Sequence, residues 1–149
     1  MTTAGVESDT RELVEDLRHR VGGEVRFDKI SRALYSTDAS IYQIEPIGVV
    51  LPRDVEDVVA VVETAARHGV SVLPRGGGTS LAGQTVGQSV VIDFSKYMRN
   101  LVELNVEEGW VRTQPGIILD ELNQLLRPSG VLFAPDPSTS NRGNVGGAL

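Results

Sequence analysis

The residues best suited to chemistry stand together in the middle of the chain, at residues 73–85, which read LPRGGGTSLAGQT. Successive backbone N–H groups in a glycine-rich turn form a concavity that binds anions without a helix dipole. Hydroxyl side chains in the turn add hydrogen-bond donors, and an arginine before it adds positive charge. Such a loop, placed after a buried strand, suits a pyrophosphate group. The residues concerned are Arg75, Gly76, Gly77, Gly78, Thr79, Ser80 and Gly83.

Two better-known phosphate motifs fit this loop less well. Gly76 and Gly78 supply the first two glycines of a dinucleotide-binding fingerprint, but Leu81 stands at the third glycine position. Gly78 and Gly83 have the spacing of a P-loop, but Gln84 replaces its lysine, and a strand rather than a helix is predicted to follow. The sequence therefore favours the open anion-binding turn over a nucleoside-triphosphatase.

A predicted strand–helix–strand unit leads into the loop. Residues 47–51 form a short buried-strand candidate, Asp54 caps the helix that follows, and Gly69 ends that helix. Residues 71–73 form the second strand, and the helical connection is long enough for the two strands to pair in parallel. The apolar face of the helix is predicted at Val55, Val58, Val59, Val62, Ala65 and Ala66.

Shorter elements are predicted on both sides of this unit. An N-terminal helix begins at Asp9, which forms a capping pair with Glu12, and ends at Gly22. The pattern indicates an α+β fold, in which a small parallel βαβ subdomain precedes the start of a mainly antiparallel sheet. The remaining elements are a strand at 24–27, a helix capped by Asp28, a strand at 89–94, an antiparallel hairpin of 101–105 with 110–114, a helix at 118–126 and a strand at 131–133.

Composition excludes several classes of function. The 149 residues suffice for one domain with a buried core, and 14 Lys and Arg against 20 Asp and Glu give a net charge of -6, which argues against nucleic acid as a partner. The absence of cysteine excludes a disulfide framework, a thiolate nucleophile and an iron–sulfur cluster in this chain. No histidine partners the acidic clusters at ligand spacing, so no metal site is predicted. Apolar runs are too short for a membrane span and the N-terminus lacks a signal peptide, so a cytoplasmic location is expected.

Four stretches of the chain together resemble the FAD-binding domain of the vanillyl-alcohol oxidase and p-cresol methylhydroxylase (PCMH-type) superfamily, in its glycolate oxidase and D-lactate dehydrogenase branch. In chain order they are similar to the entry to that domain, its pyrophosphate loop, its Pro-Gly turn into a helix and its second flavin-contacting segment. The agreement in order and spacing makes the resemblance specific, and it covers roughly residues 30–149. The stretches are residues 35–40 with 46–52, residues 73–83, Gln114-Pro115-Gly116 and residues 135–147.

The resemblance implies an FAD cofactor and a role for each matching residue. The amides of Gly76, Gly77, Gly78, Thr79 and Ser80 would hold the FAD pyrophosphate, with Arg75 and Gly83 shaping the loop and the Arg75 charge assisting the phosphates. Relatives that attach FAD covalently in this loop carry His at the position of Thr79, so noncovalent FAD is expected. Residues of the turn and of the second segment would border the flavin pocket: Pro115, Gly116, Pro135, Asp136, Ser140, Gly146 and Gly147.

Two positions stand apart from these assignments. Gly143-Asn144 occupies the place where relatives usually have Cys-Thr, so the resemblance assigns these two residues no contact. Tyr42 follows an unusual polar run and either approaches the flavin or joins the core.

The implied function is the oxidation of a 2-hydroxy acid, of the D-lactate or glycolate type, by an FAD-linked oxidoreductase. Residues 1–29 are expected to be a lead-in and residues 30–149 an FAD-binding domain that is incomplete at its C-terminus, with weak or no FAD binding and no turnover in isolation. No catalytic residue is assigned, because in this branch the substrate residues and the base lie downstream. The electron acceptor stays open. The alternatives are a non-redox nucleotide- or phosphate-binding module and a flavoprotein like UDP-N-acetylmuramate reductase.

Overall fold

A computed structural model describes residues 3–148 as two packed groups of elements. The first group comprises residues 3–93, and the second begins at residue 101. The elements are α1 (Thr3–Arg20), β1 (Glu24–Arg26), α2 (Lys29–Leu34), β2 (Gly48–Leu51), α3 (Val55–Arg67), β3 (Val72–Arg75), β4 (Val90–Asp93), β5 (Leu101–Asn105), β6 (Trp110–Thr113) and α4 (Leu119–Leu126). Short 3-10 turns follow at Arg127–Ser129 and Val145–Gly147.

The first group is built on a four-stranded sheet in the order β1-β2-β4-β3. β4 pairs in parallel with β2 on one side and with β3 on the other, and β1 is an antiparallel edge strand. The predicted direct pairing of β2 with β3 is therefore wrong, because β4 lies between them. Since β3 and β4 run in parallel, residues 76–89 return the chain across the sheet, and the glycine loop lies at the carboxyl end of β3.

The core of the first group lies between the sheet and the two longer helices. Leu17 of α1, Val50 of β2, Val61 of α3 and Val90 of β4 are all fully buried in one cluster. Helix α1 starts at Thr3, so the predicted start with a cap at Asp9 is wrong and Asp9 lies inside the helix.

The buried face of α3 differs from the predicted one. Val55, Val59 and Val62 are exposed, and the face that the helix buries shares only Ala65 with the predicted one. The buried residues of α3 are Asp57, Ala60, Val61, Thr64 and Ala65. Two of them are polar, and both have hydrogen-bond partners: the Asp57 carboxylate accepts from the amides of Gly22 and Arg53, and the Thr64 hydroxyl accepts from Arg20.

The second group consists of the β5–β6 hairpin and α4, as the sequence predicts. Ile117, Leu122, Leu126 and Val145 form its small core, against which residues of the hairpin pack. The strand predicted at residues 131–133 is absent from the described structure; Asn123 instead holds Phe133 by hydrogen bonds to its amide and carbonyl. No helix within residues 3–148 has both the length and the hydrophobicity that a bilayer crossing requires.

Candidate cofactor-binding site

A cleft of about 710 Å³ lies between the glycine loop, residues 73–85, and a closing segment, residues 135–148. A volume in this range is typical of sites for cofactors and other organic ligands. Its only charged lining residue among those described is the acidic Asp136, so backbone dipoles rather than cations would meet an anionic ligand. The lining residues are Pro74, Gly76, Gly77, Gly78, Thr79, Ser80, Gln84, Thr85, Leu119, Pro135, Asp136, Pro137, Thr139, Gly143, Asn144, Gly147 and Ala148.

Four backbone amides within residues 76–80 of the glycine loop are available to a ligand. Within residues 3–148, the amide groups of Gly76, Gly78, Thr79 and Ser80 donate to no protein acceptor. All four residues line the cleft. A run of such donors binds phosphate oxygens well, because each amide supplies a hydrogen bond and a partial positive charge. The residues present therefore fit a pyrophosphate group.

The Arg75 guanidinium lies behind the loop and does not line the cleft. Its Nη1 donates to the carbonyl oxygens of Thr85 at 2.9 Å and Tyr35 at 3.2 Å, and its Nη2 donates to that of Thr37 at 2.8 Å. Nη2 would also lie 2.7 Å from a Cβ atom placed on Gly78. These contacts tie the two ends of the glycine loop to residues 35–37.

Asp38 makes a second tie between the same segments. Its carboxylate accepts from the Thr85 hydroxyl at 3.0 Å and from the Ser40 amide at 2.9 Å, while the Ala39 amide donates to the Gly78 carbonyl at 3.0 Å. Partial burial opposes ionisation of Asp38, but the hydrogen bonds from Ser40 and Thr85 outweigh it and lower the pKa of this carboxyl. The polar run at residues 35–40 thus serves as a brace for the glycine loop.

A buried pair lies beneath this brace. The Tyr35 hydroxyl donates to the Asp93 carboxylate at 2.5 Å, and Asp93 is only 5% exposed at the carboxyl end of β4. Burial, together with the hydrogen bond to Asp93, raises the pKa of the Tyr35 hydroxyl. Tyr35 therefore stays protonated and acts as a hydrogen-bond donor rather than as a base.

Two glycines of the loop are required by its geometry. Gly78 has a φ of 64°, which disfavours residues with a Cβ atom. A Cβ atom on Gly77 would overlap the carbonyl oxygen of Arg142 in the closing segment. A Gly77→Val substitution would therefore force the two walls of the cleft apart.

The closing segment is attached to the second group of elements. The amides of Val145 and Gly146 donate to the carbonyls of Ile117 and Pro115, each at 3.0 Å, and the Leu119 amide donates to the Gly143 carbonyl at 3.0 Å. Pro115 and Gly146 thus hold the closing segment in place, and neither of them lines the cleft.

The predicted site residues thus fall into two sets around one cleft. Those that line it are Gly76, Gly77, Gly78, Thr79, Ser80, Pro135, Asp136 and Gly147. Those that lie outside its lining are Arg75, Gly83, Pro115, Gly116, Ser140 and Gly146. Tyr42 is 53% exposed, and its Cδ2 would lie 2.5 Å from a Cβ atom on Gly83, so it supports the loop from outside and is not a core residue.

Sequence reasoning missed two residues that act on the loop. Asn144 is buried at 8% exposure, and its Oδ1 accepts from the Gly77 amide at 2.6 Å. Thr85 accepts a hydrogen bond from Arg75 at its carbonyl oxygen and donates one from its hydroxyl to Asp38. The departure from the family pattern at residue 144 is the one feature of the sequence that marks Asn144, and it does not indicate which residues Asn144 contacts.

The sequence and the fold match known proteins. The FAD binding domain family matches residues 46–149, more than half of the chain, and the chain therefore belongs to that family. D-2-hydroxyglutarate dehydrogenase of Escherichia coli (strain K12) is 45% identical over 130 residues, covering 85% of this chain and 13% of that protein. The enzyme of the same name from Pseudomonas putida (strain KT2440) is 40% identical over 153 residues, covering all of this chain and 15% of that protein. The glycolate oxidase subunit GlcD of Bacillus subtilis (strain 168) is 30% identical, covering 94% of this chain and 30% of that subunit.

Solved structures support the same fold. An alkyldihydroxyacetonephosphate synthase superposes with a TM-score of 0.84 at 25% identity, over 93% of this chain and 28% of that one. p-Cresol methylhydroxylase superposes with a TM-score of 0.74 at 16% identity, over 92% of this chain and 28% of that one, which is a likeness of fold. The α+β architecture is accordingly that of the PCMH-type FAD-binding domain, and the resemblance seen in the sequence is confirmed. The chain spans 13 to 15% of the length of the dehydrogenases above.

Proposed function

We propose that the protein containing this chain is an FAD-dependent oxidoreductase that oxidises a 2-hydroxy acid, and that this region holds the FAD. The observation that carries the proposal is the row of four unpaired amides at Gly76, Gly78, Thr79 and Ser80 along the cleft. In this proposal residues 30–149 form the FAD-binding domain and residues 1–29 its lead-in. The family match at residues 46–149 lies inside the proposed domain.

The chain's own residues bind and orient the cofactor. The free amides of the glycine loop hold the pyrophosphate, the brace at residues 35–40 keeps those amides in place, and the closing segment covers the other side. When bound, FAD supplies the acceptor for the two electrons of the oxidised carbinol. The substrate contacts and the proton acceptor are assigned to parts of the protein outside this region.

Noncovalent attachment of FAD is part of the proposal. Covalent flavin links in proteins need a nucleophilic side chain at the flavin, and the lining of the cleft contains no histidine, cysteine or tyrosine among the described residues. Thr79 stands where relatives with a covalent link carry histidine. Precipitation of the holoprotein with acid should release all of its flavin into the supernatant, and flavin retained in the pellet would contradict this point.

The names of the relatives suggest D-2-hydroxyglutarate and glycolate as substrates, the resemblance seen in the sequence adds D-lactate, and we rank D-2-hydroxyglutarate first. The relatives with 40 to 45% identity carry that name, whereas the glycolate oxidase subunit has 30% identity. The test is anaerobic mixing of the intact flavoprotein with each acid, followed by the absorbance of oxidised flavin. Bleaching by one of the D-acids and not by its L-enantiomer is the expected result.

The same measurement separates the alternatives. A protein that binds FAD but is bleached by none of the three acids would retain the cofactor assignment and refute the substrate class. A protein that binds phosphate or nucleotides without ever retaining flavin would be the non-redox module, and it would refute the proposal as a whole.

A further inference from the structure

Asn144 joins the two walls of the cleft through a single buried side chain. Its Oδ1 accepts from the Gly77 amide at 2.6 Å, and its Nδ2 donates to the Gly116 carbonyl at 2.5 Å. The residue is 8% exposed, so both bonds are shielded from water. A carboxamide is suited to this position because one end accepts and the other donates.

This side chain is the only hydrogen-bonded link between the walls among the residues that the structure describes. The glycine loop is otherwise tied to residues 35–39, through Arg75, Asp38 and the Ala39 amide. The closing segment is otherwise tied to residues 115–119, through backbone bonds. Without the Asn144 amide, each wall would keep its own support and lose its connection to the other.

The Gly77 amide is also distinguished from its neighbours by this bond. It is the one amide among Gly76, Gly77, Gly78, Thr79 and Ser80 that is already taken by a protein acceptor. A bond in the middle of the run fixes the peptide planes on either side, and so sets the directions of the amides that remain free. The orientation of a binding loop before the ligand arrives reduces the ordering cost of binding.

We propose that Asn144 is a positioning residue that sets the separation of the two walls and the aim of the free amides toward the FAD pyrophosphate. This inference rests on the proposed function, because it needs FAD in the cleft. It gives a role to the position where the chain departs from its relatives. The residue bonds to the glycine loop and to Gly116, and its effect is on cofactor affinity and release.

The test compares three versions of the intact protein: wild type, Asn144→Ala and Asn123→Ala. Asn123 makes the same kind of paired hydrogen bonds, to the amide and carbonyl of Phe133, and neither residue lines the cleft, so it controls for a general loss of stability. The loss of a buried hydrogen-bond partner weakens FAD binding by about tenfold or more in Asn144→Ala. Asn123→Ala is expected to bind FAD as wild type does. Flavin fluorescence during FAD release is the readout.

Asn144→Asp provides a second test of the inference, which does not depend on the folding of the alanine variant. An ionised aspartate keeps the bond from the Gly77 amide but places a negative oxygen against the Gly116 carbonyl. A protonated aspartic acid donates to that carbonyl and restores both bonds. FAD release from this variant should slow as the pH is lowered, relative to wild type at the same pH. Arg75, Asp136 and Arg142 carry the charges of the two walls and are present in both proteins, so their influence is the same on both sides of the comparison.

Each outcome decides the inference. The inference is supported if FAD is released faster from Asn144→Ala than from wild type and from Asn123→Ala, and if FAD release from Asn144→Asp slows at acidic pH. FAD affinity equal to wild type in both Asn144 variants, or equal losses in Asn144→Ala and Asn123→Ala with no pH effect in Asn144→Asp, overturns it. Absence of FAD binding in the wild type is a different result, since it would refute the proposed function itself.

Discussion

Arg75 stacks on Tyr35 and hydrogen-bonds to it at the same time: the guanidinium carbon lies 5.2 Å from the centre of the ring, and Nη1 donates to the Tyr35 carbonyl oxygen. From the sequence, the Arg75 charge is expected beside the phosphates, whereas in the structure the Arg75 guanidinium holds the glycine loop in shape. The planar guanidinium of Arg75 donates to the carbonyls of Tyr35, Thr37 and Thr85 together, whereas the ammonium group of a lysine would present a single point charge.

Replacement of Arg75 by Lys is expected to weaken the protein before any cofactor is added. The variant keeps the charge and loses the fork, so the free energy of unfolding of the apoprotein should fall by about 1–3 kcal/mol, and FAD affinity should fall with it. Denaturant titration without FAD measures the first effect. An apoprotein of unchanged stability that loses FAD affinity would instead show that the guanidinium binds the phosphates directly.

Leu17→Ala tests whether α1 belongs to the core of the sheet. Leu17 is fully buried in the cluster that also holds Val50 and Val61, and its truncation should lower the free energy of unfolding by about 2–5 kcal/mol. Val59→Ala, on the exposed side of α3, is the matched change and should stay within about 0.5 kcal/mol. If Val59→Ala were the more damaging of the two, the assignment of the buried helix faces would be wrong.

Glu24 is expected to make the stability of the sheet depend on acidic pH. Hydrogen bonds from Lys96, then Tyr97 and Arg26, outweigh partial burial and lower the pKa of Glu24 from 4.5 to about 2. A carboxyl whose pKa is lowered by folding stabilises the native state fully above its unfolded pKa and loses that contribution as the pH falls toward its folded pKa. The contribution is therefore complete above pH 4.5 and disappears toward about pH 2.

Glu24→Gln removes this contribution and provides the measurement. The difference in the free energy of unfolding between wild type and Glu24→Gln should be largest near neutral pH and should shrink as the pH is lowered toward about 3. A difference that stays constant over this range would mean that the carboxylate of Glu24 is not what stabilises the contact between β1 and residues 96–97.

Sequence patterns located most elements and the glycine loop, and they failed where polar groups decide the packing. The valines of α3 suggested an apolar face, but Asp57 and Thr64 are buried because each finds hydrogen-bond partners in α1, in the α1–β1 turn or at Arg53. Hydrophobicity alone does not reveal such partners, which come from residues more than thirty positions away along the chain or from a local turn.

The strand order and the hydrogen bonds of Asn144 could not be predicted from the sequence for a related reason. Nothing local in residues 90–93 specifies that this strand enters between β2 and β3. The Asn144 side chain bonds to Gly77 and Gly116, whose positions relative to residue 144 follow only from the assembled fold. The lining residues Gly76–Ser80 and Pro135–Asp136, in contrast, were accessible from sequence because a contiguous motif carries each of them.

The central claim is that FAD occupies the cleft between the glycine loop and the closing segment, and Gly147 gives the most direct test. A Cβ atom at Gly147 meets nothing within 4 Å, and the residue lines the cleft, so Gly147→Val fills ligand space without disturbing the protein. Gly87→Ala, whose Cβ atom makes only ordinary contacts outside the cleft, is the control.

The measurement is the FAD dissociation constant of the intact protein and of these two variants, from the quenching of flavin fluorescence, together with the thermal unfolding of each apoprotein. We expect all three apoproteins to unfold at the same temperature, with FAD bound tightly by wild type and Gly87→Ala and at least about tenfold more weakly by Gly147→Val. Equal FAD binding by all three proteins would contradict the placement of the cofactor in this cleft.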